Sequence, residues 1–322
     1  MKVTIIICTN APKRYNDTID AIKSLISQTY TNIEIILIVD KIVELYNRFI
    51  ADSFFANKNN IAISLSEMKG LSNARNKGVQ LSTGKIIAFI DDDAIADPEW
   101  INKLIKNYSD STIISVGGVM KPYWINGFAQ WIPEEFYWTM GCSYKSQSQS
   151  KCYVRSNFGS NMSFRKEVFD SAGFFDTDYG LIGDIMRTGE ETEFSIRALN
   201  IIKNSKIVFD PNCVVYHRIY HFRKSPIYIL KRCYAYGIAI AKMEKSKVKI
   251  DCLIESTESS FFRYLLKFSF KERLSNIMHL HNFNKNTSNI IFLNIFTITV
   301  GVGFLLGKLN LMICDIKQKL QR

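Results

Sequence analysis

The sequence predicts an open α/β fold with a carboxylate-lined ligand edge, and three observations carry that prediction. Val3-Thr4-Ile5-Ile6-Ile7-Cys8 and Ile33-Glu34-Ile35-Ile36-Leu37-Ile38-Val39 are nearly continuous apolar runs, the pattern of strands buried on both faces. Between them a helical stretch from about Tyr15 to Gln28 sets Ile19, Ile22, Leu25 and Ile26 on one face, which completes a right-handed βαβ unit. Third, Ile86-Ile87-Ala88-Phe89-Ile90 runs straight into Asp91-Asp92-Asp93, placing three carboxylates where a buried strand ends and open α/β sheets bind ligands. Adjacent negative charges repel one another. A divalent cation with oxygen ligands would neutralise them; a solvated acidic turn before a helix near Asp97-Pro98-Glu99 is the plainer alternative.

The remaining elements follow in order. Thr9-Asn10-Ala11-Pro12 breaks the first strand, and the second ends in Asp40 at the same edge. Ile61 to Leu65 is a third strand. Lys69-Gly70-Leu71-Ser72-Asn73-Ala74-Arg75-Asn76-Lys77-Gly78 and a short helical piece then lead to the acidic strand. Arg75 ahead of Asp91 suits an anionic group held against a metal site, or is an ordinary surface helix charge. Ile113 to Val119 is a further strand. The aromatic segment after it, with Trp131, Glu135 and Trp138, suits a wall against a sugar or lipid as well as plain packing. Ser143 to Lys151 is a polar loop. Gly159-Ser160-Asn161-Met162-Ser163-Phe164-Arg165 precedes a helix from Lys166 to Ala172, and Gly189-Glu190-Glu191 opens another, where carboxylates are favoured by the helix dipole alone. Ile207–Asp210 and Cys213–His217 close the body with one or two strands.

Charge is unevenly distributed. Residues 217–322 hold 18 of the 41 Lys and Arg but only 6 of the 30 Asp and Glu, so the net +11 resides in the last third. Such a tail predicts an anionic surface as partner, lipid headgroups or nucleic acid. The seven cysteines include no CxxC pair, which predicts buried, reduced thiols, and a first strand starting at Val3 predicts a catalytic body on the cytosolic side.

Taken together, the ordered motifs resemble glycosyltransferases of family 2 over residues 1–220. The motifs are Thr9-Asn10, Gly70 to Gly78, Phe89-Ile90-Asp91-Asp92-Asp93, Asn161 to Arg165 with Gly173-Phe174-Phe175-Asp176, and Gly189-Glu190-Glu191 with Arg197. Trp131 to Trp138 and Val215-Tyr216-His217-Arg218 resemble, more narrowly, archaeal enzymes that glucuronosylate glucosyl-dolichyl phosphate. Two departures stand out: Asp40 is followed by Lys41-Ile42 rather than Asp and Gly-Ser, and Glu191 stands where many members have Asp.

The resemblance implies a GT-A nucleotide-sugar-binding, Rossmann-like mixed sheet flanked by helices, and an inverting, metal-dependent sugar transfer. It implies Mg²⁺ or Mn²⁺ held by Asp93 with Asp91. His217, just after a strand, is either a third metal or diphosphate ligand or a hydrogen-bonded structural residue. Thr9, Asn10, Asp40, Lys69, Arg75, Asp91 and Asp92 would bind the donor, probed first as a UDP-sugar. Glu191 would be the general base, with Glu190 the next choice. Trp131, Glu135, Trp138, Asn161, Met162, Arg218 and Arg223 would meet a polyprenyl- or dolichyl-phosphate-linked acceptor, and a carboxylated donor sugar would look for Lys121, Arg155 or Arg165.

The last third predicts a membrane-associating region: a basic helix from about Pro226 to Lys245, an amphipathic piece from Phe261 to Leu274, and an uncharged stretch from Ile290 to Leu306. The expected organisation is a catalytic domain over 1–220, a basic helical region over 221–285 and an apolar helix with a short tail over 286–322, located at the cell membrane. A soluble enzyme decorating cell-surface polysaccharide is the alternative. A nucleic-acid-binding protein, the remote one, leaves both acidic clusters without a purpose, and no nucleic acid is expected as partner.

Overall fold

The computed structural model describes residues 1–145, 147–179, 189–245 and 283–320; the Phe261–Leu274 piece lies outside them. The chain divides into two compact units. The first comprises Met1–Pro122 and Ser148–Arg218; the second comprises Tyr123–Gln147 and the described residues from Ile219 onward. The aromatic segment, read from sequence as part of the catalytic domain, therefore belongs with the C-terminal helices.

In the first unit, β1 (Val3–Thr9), β2 (Ile33–Asp40), β3 (Ile61–Ser66) and β4 (Ile86–Asp91) pair in parallel, with α1 (Tyr15–Ile26), α2 (Val43–Ala51) and α3 (Leu71–Leu81) as crossovers. There follow β5 (Ala94–Ala96), α4 (Trp100–Lys106), β6 (Ile113–Trp124), β7 (Cys152–Tyr153), β8 (Met162–Arg165), α5 (Lys166–Ala172), α6 (Glu190–Ile201) and β9 (Lys206–Ile219). The nine strands form one mixed sheet in the order β3-β2-β1-β4-β8-β6-β9-β5, with β7 on β9; β8 joins β4 and β6 antiparallel.

The apolar runs are continuous because each strand feeds two cores. Ile5, Ile7, Ile35, Leu37, Ala88 and Ile90 pack with α1, α2 and α4, whereas Ile6, Ile36, Ile38, Ile87 and Phe89 pack with α3, α5 and α6. On the second face Phe89, Phe164, Phe169, Phe175 and Phe194 form one ring cluster, with Phe169 stacked on Phe194 at 4.8 Å. That cluster seats α6, whose first residues are Glu190 and Glu191.

Several elements differ from the sequence reading. Arg75 lies one turn inside α3 rather than ahead of a helix, because the Gly70–Gly78 motif is itself helical. The sequence reading also passed over the three-residue strand β5 directly after the acidic turn, and the nine-residue helix α2, which buries only Leu45 and Phe49. Of the one or two strands expected at the end of the body, β9 is one strand of 14 residues.

In the second unit, α7 (Pro226–Lys245) and α8 (Phe283–Leu320) run side by side in the same direction. A Cβ on Gly237 would come 2.2 Å from the Val300 carbonyl oxygen, one on Gly303 2.2 Å from that of Tyr234, and one on Gly307 2.9 Å from the Ala241 methyl. Small residues four apart on each helix, Gly237/Ala241 and Gly303/Gly307, thus let the backbones touch. The aromatic segment packs on this pair: Trp131 against Phe292 at 4.5 Å, Phe136 against Phe296 at 5.3 Å and Trp138 against Tyr236 at 4.4 Å.

Close backbone approach also fixes the site side of the sheet. A Cβ on Gly118 of β6 would fall 2.0 Å from the Cys213 carbonyl oxygen of β9, a backbone atom with no freedom to yield. Gly118→Ala is expected to cost about 1–3 kcal/mol of stability, read as a lowered urea midpoint, through overpacking alone.

Candidate active site

The carboxyl ends of β1, β2 and β4 share one edge; Cys8 pairs with Asp91 and Asp40 with Ser66. Asp40 is buried and both its oxygens accept the Gly70 N–H at 3.0 Å, which joins β2 to the start of α3. Gly70 has φ 124°, a conformation that side chains resist, and this explains the glycine. Burial raises the Asp40 pKa above the usual carboxylate value, the Gly70 bond opposing it. Asn10 and Lys69 are exposed at this edge.

The three consecutive aspartates have separate surroundings. Asp92 accepts the Thr9 hydroxyl at 2.6 Å and the Arg14 guanidinium at 2.8 Å, so each of its oxygens has a partner. Asp91 and Asp93 meet His217: its Nε2 lies 3.7 Å from Asp91 Oδ2 and 3.2 Å from Asp93 Oδ1, while Asp93 Oδ2 lies 3.5 Å from the Arg14 guanidinium. Asp93 and His217 are fully buried, and Asp91 is partly exposed. For Asp91, burial disfavours the charge, but the His217 bond and the Arg75 charge outweigh it and hold its pKa below the usual range. For Asp92, burial and the neighbouring Asp93 overcome Arg14 and push it up to about 6.

Arg75 connects this turn to α6. Its guanidinium donates to Glu190 Oε1 at 2.8 Å and to the Gly159 carbonyl at 3.3 Å, and lies 3.9 Å from Asp91. Glu190 is therefore a buried ion-pair partner, which sets it apart from its neighbour. Glu191 is half-buried at the helix start, and burial together with the charge of Glu190 pushes its carboxyl up to about 8. Thr192, the next residue, meets the Ser156 hydroxyl at 3.2 Å.

Asp91, Asp93 and His217 offer ligand atoms that all lie within 4.8 Å of one another. Two hard oxygens and an imidazole nitrogen suit a divalent cation such as Mg²⁺ or Mn²⁺.

Residues 4–173, more than half of the chain, match the family model described as glycosyl transferase family 2. The chain belongs to this family. Among curated proteins it is similar to the glucosyl-dolichyl phosphate glucuronosyltransferase of Haloferax volcanii, 29% identical over 314 residues, covering 96% of this chain and 97% of that one. It is also similar to the glycosyltransferase AglE of the same organism, 27% identical over 53% of this chain and 56% of that one. Among solved structures, the mannosyltransferase PcManGT of Pyrobaculum calidifontis, in complex with GDP-Man and Mn²⁺, matches with a TM-score of 0.60 at 13% identity, covering 94% of this chain and 87% of that one. GalNAc-T7 with UDP, GalNAc and Mn²⁺ matches at 0.54 and 16%, covering 85% and 57%. These two show a shared GT-A-type fold. The protein is thus a nucleotide-sugar glycosyltransferase of family 2.

Several residues expected at the acceptor are committed elsewhere. Asn161 and Met162 are completely buried, and the Asn161 amide accepts from Trp100 Nε1 and donates to the carbonyls of Val119 and Cys213. Arg218 is buried and pairs with Asp20 at 2.9 Å and Asp17 at 3.7 Å. Arg223 donates to the Met140 carbonyl, and Lys224 to those of Ile125, Asn126 and Gly127. Glu135 is wholly buried, and Trp131 and Trp138 pack on α8 and α7. Arg165 donates to the carbonyls of Tyr108, Asp110 and Ile113. Arg14 escaped the sequence reading. Its one signal was a lone arginine between a strand end and a helix start, close to the edge where three acids gather.

The Arg75–Glu190 pair is buried on both sides, so removing one member leaves an uncompensated charge. Arg75→Met is expected to destabilise the fold by about 3–5 kcal/mol in chemical denaturation, and adding Glu190→Leu should recover most of that loss.

Proposed function

We propose that the enzyme moves a sugar, with inversion, from a nucleoside diphosphate, a UDP-sugar, to a saccharide carried on polyprenyl or dolichyl phosphate. The observation that carries this reading is the single charged cluster in which Arg75 ties the Asp91–Asp93–His217 face to the helix start bearing Glu191. The Haloferax relative, aligned almost end to end, is named for glucuronic acid and a dolichyl phosphate acceptor, which makes UDP-glucuronic acid the first donor to try.

In a single displacement the acceptor hydroxyl attacks the anomeric carbon as the diphosphate departs from the opposite face. Glu191 takes the hydroxyl proton. A carboxyl raised to about 8 holds that proton firmly once it arrives, as a base acting near neutral pH should. Asp93, Asp91 and His217 would hold Mg²⁺ or Mn²⁺, which when bound supplies Lewis-acid charge to the departing diphosphate. Arg75 adds fixed positive charge beside Asp91, while Asp40 and the exposed Asn10 and Lys69 line the edge for base and ribose.

Location at a membrane, with the catalytic unit on the cytoplasmic side, completes the proposal. Asn289–Ile313 is 25 residues long with mean hydropathy 2.2, about 37 Å of helix against a hydrocarbon core of about 30 Å. Three of its polar side chains are satisfied within the helix: Asn294 donates to Ile290 O, Thr297 to Leu293 O and Thr299 to Ile295 O. Ile291, Ile295, Ile298, Val302, Leu305, Leu309 and Met312 form an outward apolar row along α8. Back-bonded polar groups and an aliphatic outer face suit lipid.

A thermal-shift panel of nucleotide sugars with Mn²⁺ identifies the donor, and turnover on a short-chain polyprenyl-phosphate sugar tests the acceptor class. Glu191→Gln should lower turnover about 10²–10⁴-fold with donor binding kept; near-normal turnover would move the base elsewhere. For the wild type, only the ionised carboxylate can accept a proton, so kcat/KM should rise about tenfold per pH unit below 8 and level off above it. In vesicle flotation the full chain should rise with liposomes, and Ile298→Lys with Leu305→Lys should abolish that; a wild type left wholly in the soluble fraction would refute membrane location.

A further inference from the structure

The N-terminal end of α1, with the short turn before it, touches the metal face from two directions. On one side is Arg14. Its backbone is fixed twice, by its N–H on the Ala11 carbonyl at 2.8 Å and by the Thr18 hydroxyl on its own carbonyl at 2.9 Å, in a short turn that Pro12 begins. From there the single nitrogen Nη1 reaches both Asp92 Oδ1 at 2.8 Å and Asp93 Oδ2 at 3.5 Å. The latter is the Asp93 oxygen away from His217, whose ring lies against Oδ1.

On the other side is Arg218, the residue after His217. Its side chain is held by Asp17 and Asp20 of α1, and its N–H donates to the Asp93 carbonyl at 3.0 Å. Ala94, which follows Asp93, pairs with His217 across β5 and β9. The acidic turn and the strand carrying the imidazole are thus each tied to the N-terminal end of α1.

We propose that Arg14 and Arg218 are positioning residues, a brace built on the start of α1 that holds Asp93 and His217 in register as cation ligands. The inference rests on the metal reading given above and concerns residues that touch neither donor nor acceptor in that reading. Repulsion between Asp92 and Asp93 would otherwise spread the turn, and one guanidinium nitrogen shared by both carboxylates counters it. Arg218 does the corresponding work for the strand, drawing its end to α1 beside the imidazole. Groups that orient metal ligands without binding the ion commonly change affinity by about 10–100-fold when removed.

The test is isothermal titration of Mn²⁺ into the detergent-solubilised full chain. Arg14→Met and Arg218→Met should each weaken Mn²⁺ binding about tenfold or more. Arg14→Lys should stay within about threefold of wild type, since a lysine ammonium can replace the one nitrogen that makes both contacts. Should Arg14→Met fail to fold, Arg14→Met combined with Asp92→Asn removes the uncompensated charge, and under the brace that double variant still binds Mn²⁺ weakly. Wild-type affinity in the double variant would reduce Arg14 to a counter-charge for Asp92 and overturn the proposal, as would unchanged affinity in both single Met variants. A wild type that binds no Mn²⁺ at all fails the metal reading itself, and the brace with it.

Discussion

Like-charge repulsion at one sheet edge is the constraint on which the rest of this structure depends. Asp91, Asp92, Asp93, Glu190 and Glu191 converge there, most of them buried, and a carboxylate away from water stays ionised only with a partner. The fold supplies partners from separate elements: Arg14 ahead of α1, Arg75 on α3 and His217 on β9. Each of these side chains faces specific oxygens, and this gives neighbouring acids unequal character. Asp91 is held in its charged form, whereas Glu191, whose closest carboxylate neighbour has claimed Arg75, is pushed toward its protonated form. The sheet makes such convergence achievable, because parallel strands end in register and two helix layers clamp them from either face.

Much of this was legible in the sequence because burial on both faces writes continuous apolar runs, and an abrupt switch from Ile90 to three aspartates marks the strand end. Arg75 and Glu191 were readable from their motifs. Arg14 was not, since a half-turn without periodicity gives no hint of which way its side chain points. Arg218 and Asn161 misled for a different reason: a polar side chain looks the same in sequence whether it faces a ligand or satisfies buried backbone carbonyls and carboxylates. Asn161 does the latter in full, through Trp100, Val119 and Cys213. The aromatic rings of Trp131, Phe136 and Trp138 pose the same ambiguity, and here they pack on α7 and α8.

The second unit follows different rules of cohesion from the first. Its helix pair is held by backbone approach at Gly237 and Gly303 rather than by large interlocking side chains, while bulky aliphatics point outward. In water that arrangement would leave the larger apolar area exposed and bury the smaller. In hydrocarbon the preference vanishes, and dense packing of small residues becomes a source of attraction.

The three aspartates are chemically identical and consecutive, yet the first meets His217 and Arg75, the middle one Arg14 and Thr9, and the third His217 on one oxygen and Arg14 on the other. Their surroundings are therefore assigned by position along the chain, not by side-chain type. Losing or gaining a single residue between Ile90 and Ala94 would leave an acidic run of similar appearance but hand each carboxylate to a different partner. A chain of this kind can drift freely in composition around the turn, yet it tolerates no change in the number of residues within it.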